Sequence, residues 1–265
     1  MYIHFQDEAF PITPRPLGHV NLSNPNVTWG DKLKHQTDQC NLPQPLKCLL
    51  GDSNVERLLR LPSPLFPIQD YINCGIGGDK IQHIAWRMQN GSLPKQPSKV
   101  IIWGGTNNIS NSSSKQARQI TGSVINMVGH ITTINPRCSI AVVGILPRRE
   151  PDKCMQANQI NTLLRLKLPA GVTFIEPPEE FFDNGSYNRK YFKDKVHLNN
   201  KGYSIMLEHF YEFASSNVSS LLPFYHSIYP HIHTGDSAST LSTLNDYAIG
   251  EPEFMGRGWN GESLN

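Results

Sequence analysis

Short apolar runs recur along the middle of the chain, and each stops at glycine or proline. Lys47–Leu50 ends at Gly51, Tyr71–Cys74 at Gly75 and Val100–Trp103 at Gly104-Gly105. Ser139–Ile145 ends ahead of Pro147, and Val172–Ile175 ahead of Pro177-Pro178. Apolar runs without polar alternation predict parallel strands covered on both faces. Between them the period becomes helical. Ile120, Val124, Met127, Val128, Ile131 and Ile134 form one amphipathic face. Ile160, Leu163 and Leu164 repeat the pattern briefly. Tyr203, Met206, Leu207, Phe210 and Phe213 predict a further helix, with Asn199 or Asn200 as its cap. This alternation predicts an α/β fold, a three-layer α/β/α sandwich around a five-stranded parallel sheet.

The flanks read differently. Residues 1–45 are rich in Pro, Asn, Asp and Gln and are expected to form an extended or disordered arm. Residues 46–216 make the strand–helix domain. Residues 217–265 carry turn signals such as Gly235-Asp236-Ser237 and Gly256-Arg257-Gly258, which predict a loosely structured tail. Leu221, Leu222, Phe224 and Tyr225 could dock it on the core.

Composition narrows the function classes. A length of 265 residues with 38% hydrophobic and 17% charged residues fits one globular domain with tails. A net charge of +2 and a pI near 8.2 fall short of the basic footprint of a nucleic-acid binder. No apolar run approaches the roughly 18 residues of a membrane span. Met1–Glu8 lacks the basic start and apolar stretch of a secretory signal. Five cysteines without a C-x-x-C pair argue against zinc, and an odd number with no signal favours a reducing, cytoplasmic setting. Cys48, Cys74 and Cys138 read as buried thiols. Sequons at Asn21, Asn26, Asn90, Asn108, Asn111, Asn184 and Asn217 leave secretion open. His226, His231 and His233 lack the carboxylate or cysteine spacing of a metal site. No metal or cofactor is expected.

The candidate chemistry lies beyond the carboxyl ends of the predicted strands, where α/β sheets bind ligands. Ser53 follows the first, Gly75-Ile76-Gly77-Gly78-Asp79 the second and Gly105-Thr106-Asn107-Asn108 the third. Asp194 and His197 share a loop after the fifth. A serine needs a base to become a nucleophile, and an imidazole serves when a carboxylate holds its other nitrogen. The expected roles are Ser53 as nucleophile, His197 as general base then acid, and Asp194 as orienting carboxylate. Backbone N–H groups of Ser53 and Gly78 and the Asn107 amide are candidate oxyanion donors. Gly75 and Gly77 read as turn residues. Asp79 and His83 are expected to brace the glycine loop, and Arg148-Arg149 to be a solvated loop able to meet an anionic headgroup. Two plainer readings stay open: Asp194 and His197 as a loop ion pair, and Asn107 as a cap. The order Ser…Asp…His without G-x-S-x-G points away from the α/β-hydrolase scaffold.

These blocks resemble the SGNH (GDSL-type) hydrolases. Within that superfamily they are most similar to the catalytic α subunits of cytosolic platelet-activating-factor acetylhydrolase. The matching stretches are Gly51-Asp52-Ser53, Asn73–Asp79 with Gln82-His83 and Trp86-Arg87, Asn90-Gly91, Trp103 with Gly105–Asn108, Gly144–Arg148, and His197-Leu198 with Gly202-Tyr203. The resemblance covers about residues 46–215. It implies a flavodoxin-like SGNH fold, no metal, and hydrolysis of a small, for instance acetyl, ester of a lipid or carbohydrate through an acyl-enzyme on Ser53. It also implies substrate contacts from the residues after the serine and before the histidine, here Asn54 and Val196, and a possible homodimer. Asn54 is a polar departure from the apolar residue of the relatives. Two alternatives stand: a non-catalytic SGNH-like module that binds RNA or protein, and an esterase domain of a mobile-element or viral polyprotein.

Overall fold

A computed structural model describes residues 9–16, 18–21, 24–43, 47–58, 70–110 and 113–215. The expected tail, with His226, His231 and His233, lies outside the described residues, as do Asn111 and Asn217.

A small antiparallel pair, β1 (Val20–Asn21) and β2 (Asn24–Thr28), leads into helix α1 (Trp29–Cys40). The main sheet follows: β3 (Lys47–Gly51), β4 (Tyr71–Gly75), β5 (Lys99–Trp103), β6 (Ser139–Val143) and β7 (Thr173–Ile175). Its helices are α2 (Ser53–Leu58), α3 (Ile81–Gln89), α4 (Ser114–Ile134), α5 (Pro151–Lys167) and α6 (Asn200–Ser215). A two-residue pair, β8 (Phe182–Asp183) and β9 (Ser186–Tyr187), sits between β7 and α6.

The five strands are all parallel and run in the order β4-β3-β5-β6-β7. This is the flavodoxin-like 2-1-3-4-5 order, and its switch point lies between β3 and β5. Successive strand residues face opposite sides. Leu50, Cys74, Val100 and Ile102 pack with Ile84 of α3, Ile120 and Val124 of α4 and Ile160 of α5. Leu49, Ile101, Trp103 and Val143 pack with Val55 of α2 and Met206 and Phe210 of α6. That is the expected three-layer sandwich. Lys99 lies buried in β5, where its Nζ donates to the Phe213 and Ala214 carbonyls at the end of α6. A cation suits the negative end of that helix.

Three details differ from the sequence reading. The segment expected to be irregular up to residue 45 contains α1, whose Trp29 is 1% exposed. A capping box starts this helix: Thr28 Oγ1 accepts from the Asp31 N–H while Asp31 Oδ2 accepts from the Thr28 N–H. The fourth strand ends at Val143, because Asn161 takes both the N–H and the carbonyl of Ile145 with its side-chain amide. Finally, Cys40 and Cys154 join Cys48 and Cys74 as buried free thiols, whereas Cys138 is only partly buried.

Candidate active site

The β3/β5 switch point fixes the first two loops. Gly51 ends β3 beside Trp103 at the end of β5, and Ser53 opens α2 directly afterwards. Asn107 follows β5 in a short 3-10 turn. The third loop, Ile76–Asp79, follows β4 and closes with the Asp79 N–H donating to the Ile76 carbonyl (3.2 Å). Gly78 takes φ 79°, as the third position of a type II turn requires, and only glycine does so freely.

The fourth loop carries Asp194 and His197. Phe192 and Leu198 bridge its base in antiparallel fashion, and the Lys193 N–H donates to the His197 carbonyl (2.8 Å). Phe192 packs on Tyr187 and Phe181, with ring centroids 4.4 and 5.7 Å away. The Tyr187 hydroxyl donates to the Asp194 carbonyl. Asn199 caps α6 by accepting the Gly202 N–H (3.0 Å). Gly202 is needed there, since a Cβ would fall 2.3 Å from the Tyr191 carbonyl oxygen.

These loops bring the expected residues together. Ser53 Oγ lies 2.9 Å from His197 Nε2, and His197 Nδ1 lies 2.7 Å from Asp194 Oδ2. Asp194 Oδ1 accepts the main-chain N–H groups of Val196 (2.9 Å) and His197 (2.8 Å). One carboxylate thus orders its own loop and holds the ring. Burial raises the Asp194 pKa, but the hydrogen bonds from His197 and Val196 outweigh it and hold the carboxyl below its ordinary value. Burial also holds His197 below the ordinary imidazole value, against the pull of Asp194, and the Arg57 charge adds to the lowering. A neutral ring with its proton on Nδ1 can accept the Ser53 proton at Nε2.

The glycine loop sits against the serine: Ser53 Cβ is 3.7 Å from the place a Gly77 Cβ would take. The Gly77 N–H donates to Glu56 Oε2 (2.7 Å), so it is committed, and Gly78 remains the candidate donor of this loop. Asn107 Nδ2 donates to the Asp79 carbonyl (3.0 Å), which leaves its second amide proton as a donor. Asn108 is 6% exposed, and its amide ties Ile81 and Gln82 of α3. A glycan has no room there.

Beneath the glycine loop lies a buried ion pair. Asp79 accepts from Arg87 Nε (2.8 Å) and Trp29 Nε1 (2.9 Å), and both charged side chains are 0% exposed. Arg87 also donates to the Gly51 and Cys74 carbonyls at the ends of β3 and β4, both at 3.0 Å. Asp79 is the brace the sequence suggested. His83 stands 3.8 Å from it and accepts the Lys80 N–H. The structuring roles of Arg87, Glu56, Gln36 and Arg15 have no periodic signature and were not foreseen.

Asp52, just before the nucleophile, is fully buried. Oδ1 accepts the Asn54 N–H (2.9 Å), while Oδ2 has no partner. Burial pushes its carboxyl up to about 7, and the Asp79 charge adds to this. Asn54 is 2% exposed with Oδ1 unpartnered, and Val196 is half-buried. Arg148, expected to be solvated, is instead 8% exposed and donates to the Thr106 carbonyl (3.1 Å) and hydroxyl (2.9 Å). It is pinned beside the Asn107 turn, while Arg149 is exposed.

Comparison with known proteins agrees with this architecture. The α2 subunit of platelet-activating factor acetylhydrolase IB from Homo sapiens is 33% identical over 173 residues, 62% of this chain and 74% of that protein. The α1 subunit from Rattus norvegicus is 32% identical over 169 residues, 61% and 71% of the two chains. A GDSL-like lipase from Bacteroides thetaiotaomicron shares the fold at 20% identity and a TM-score of 0.61, covering 70% of this chain and 98% of its own. Among the described residues no helix is long and apolar enough to cross a membrane. Residues 47–205 match the model of the GDSL-like lipase/acylhydrolase family, and the chain, a hydrolase, belongs to that family.

Proposed function

We propose that this hydrolase cleaves a small acyl ester, with acetyl as the preferred acyl group, through a covalent intermediate on Ser53. The observation that carries the reading is the unbroken relay from Ser53 Oγ to His197 Nε2 (2.9 Å) and from Nδ1 to Asp194 (2.7 Å). In this reading His197 takes the Ser53 proton as Oγ attacks the ester carbonyl carbon. The tetrahedral oxyanion is met by the N–H groups of Ser53 and Gly78 and the Asn107 amide. Collapse breaks the bond to the alcohol, which leaves with the proton from His197. Water then repeats the sequence against the acyl-enzyme and frees the acid. Asn54 and Val196, the neighbours of Ser53 and His197, are the proposed contacts of the acyl group. Acetyl is favoured because the relatives quoted above are named as acetylhydrolases.

The test is labelling with a fluorophosphonate, mapping of the modified residue, and turnover of p-nitrophenyl esters of increasing chain length. Ser53 should carry the label, and the acetyl ester should turn over fastest. Ser53→Ala should lose at least about 10³-fold in kcat. Full turnover by Ser53→Ala would end the acyl-enzyme reading.

A further inference from the structure

The candidate oxyanion donor of the glycine loop belongs to a peptide whose other end is held from outside. The turn places Gly77 C=O and Gly78 N–H in one planar unit. A trans peptide points these two groups in opposite directions, so whatever fixes the carbonyl also aims the N–H. The Gly77 carbonyl accepts from Arg15 Nη1 at 2.9 Å. A Cβ on Gly78 would meet the same guanidinium, with Nη1 at 3.1 Å and Nη2 at 3.2 Å. The guanidinium is fixed in turn by Asp79 Oδ1 at 3.5 Å and His19 Nε2 at 2.5 Å, and its side chain is 17% exposed. The Gly77 N–H is held by Glu56, which pairs with Lys32 of α1. Both cations, Arg15 and Lys32, precede the family-matched segment that begins at residue 47.

We propose that Arg15 is a positioning residue for the oxyanion hole: it orients and polarises the Gly77–Gly78 peptide so that the Gly78 N–H meets the developing negative charge. The inference rests on the acyl-enzyme reading above. A charge-assisted hydrogen bond to a peptide carbonyl strengthens the donor at the other end of the same peptide. Because the clamp is built before substrate arrives, the loop need not reorganise in the transition state. The planar fork reaches Gly77, Asp79 and His19 together, a geometry that a lysine ammonium cannot reproduce. The N-terminal segment therefore supplies part of the machinery for which the family-matched segment provides the donor.

The test compares Arg15→Ala, Arg15→Lys and Ser53→Ala in the full chain, with p-nitrophenyl acetate as substrate across about pH 5 to 9. Arg15→Ala should lose about 10-fold or more in kcat, with KM within about two-fold, because the interaction strengthens only in the transition state. The acid limb of the pH profile should stay in place, since the relay is untouched. Arg15→Lys should fall between, and ethylguanidinium in the buffer should restore part of the Arg15→Ala rate. Fluorophosphonate labelling of Ser53 should slow by a similar factor, since the phosphoryl oxygen enters the same cradle. Wild-type kcat in Arg15→Ala, a loss confined to KM, or a displaced acid limb would overturn the proposal. If Arg15→Ala does not fold, Arg15→Lys and Arg15→Gln decide by the same kcat and KM criteria. Full turnover by Ser53→Ala sinks the acyl-enzyme reading itself, so the two failures are told apart.

Discussion

Replacing Arg87 with methionine tests whether the buried ion pair beneath the glycine loop holds the site together. Methionine keeps much of the volume but removes the charge and every donor. Asp79, 0% exposed, would keep Trp29 Nε1 at 2.9 Å, with Arg15 at 3.5 Å and His83 at 3.8 Å more distant. Breaking a buried pair by removing one partner costs about 3–5 kcal/mol. The orphaned carbonyls add less here. Gly51 O still accepts the Ile76 N–H (3.2 Å), and Gln36 Oε1 still accepts from Ser92 (3.0 Å). Arg15 offers partial compensation, so the lower end, about 3 kcal/mol, is expected. With a urea m-value of about 2–3 kcal/mol/M, the midpoint should fall by about 1 M. A domain stable by about 5–15 kcal/mol survives this and can be measured.

Equilibrium unfolding in urea, with Asp79→Asn and the double variant completing the cycle, provides the assay. Asp79→Asn strands the Arg87 charge, whereas the double variant strands neither. The two single losses should therefore exceed the double loss by about 2 kcal/mol or more. A midpoint shift worth less than about 1 kcal/mol at constant m, or strict additivity, would refute the brace. Turnover of the folded Arg87→Met protein should also drop, because the ends of β3 and β4 carry Ser53 and the glycine loop.

Two further predictions concern pH. In the proposed mechanism turnover requires neutral His197, and burial holds its pKa below the ordinary value of about 6.5. The kcat/KM profile should thus fall on the acid side with an apparent pKa under about 6.5, and a limb above 7 would contradict the relay. Asp52 titrates near 3.9 when unfolded but at about 7 when folded. The folded state therefore holds the extra proton between these values. Its stabilising share is complete below pH of about 4, declines as pH rises to about 7, and is absent above. Asp52→Asn removes this dependence. Its stability relative to the parent should rise by up to about 4 kcal/mol from pH of about 4 to about 8, as read by urea titration at each pH. A gap that stays constant with pH would show that Asp52 is ionised throughout.

The sheet was legible because buried parallel strands leave a simple trace: unbroken apolar runs that end where the chain must turn toward the site. The expected and observed boundaries of Lys47–Gly51, Tyr71–Gly75 and Lys99–Trp103 agree within one residue. Ile145 reads as part of the strand because it is apolar like the residues before it, and its side chain is as buried as theirs, 3% exposed. Hydropathy cannot tell that its peptide groups bond to Asn161 rather than to another strand. Helix α1 was missed for a related reason. Its inner face includes Gln36, 4% exposed, a polar side chain that reads as surface until its bonds to Arg87 and the Gly75 carbonyl are seen. A usable signal did exist in Thr28-x-x-Asp31, the capping pair that starts the helix, but that spacing occurs too often by chance to outweigh a polar composition.

The candidate site divides along the same line. Ser53, Asp194 and His197 announce themselves because their chemistry requires particular residue types, and the switch point of a 2-1-3-4-5 sheet predicts where they meet. The residues that aim the backbone donors carry no such requirement in sequence. Arg15, Lys32, Glu56 and Arg87 are charged residues at unremarkable spacings, and charges at such spacings usually face solvent; Asp79 was legible only because it closes the glycine block. Their partners are main-chain carbonyls and N–H groups, which every residue possesses, so pairing leaves no compositional mark. Polar burial serves here because Gly77 and Gly78 have no side chains with which to hold their own peptide groups in place. The turn made of Gly77 and Gly78 lies close to Ser53, and its peptide groups are anchored by charged side chains. Arg15, ahead of the family-matched segment, anchors the Gly77 carbonyl, while Glu56 of α2, paired with Lys32 of α1, anchors the Gly77 N–H, so the peptide groups on either side of Gly77 are held by charges from different parts of the chain.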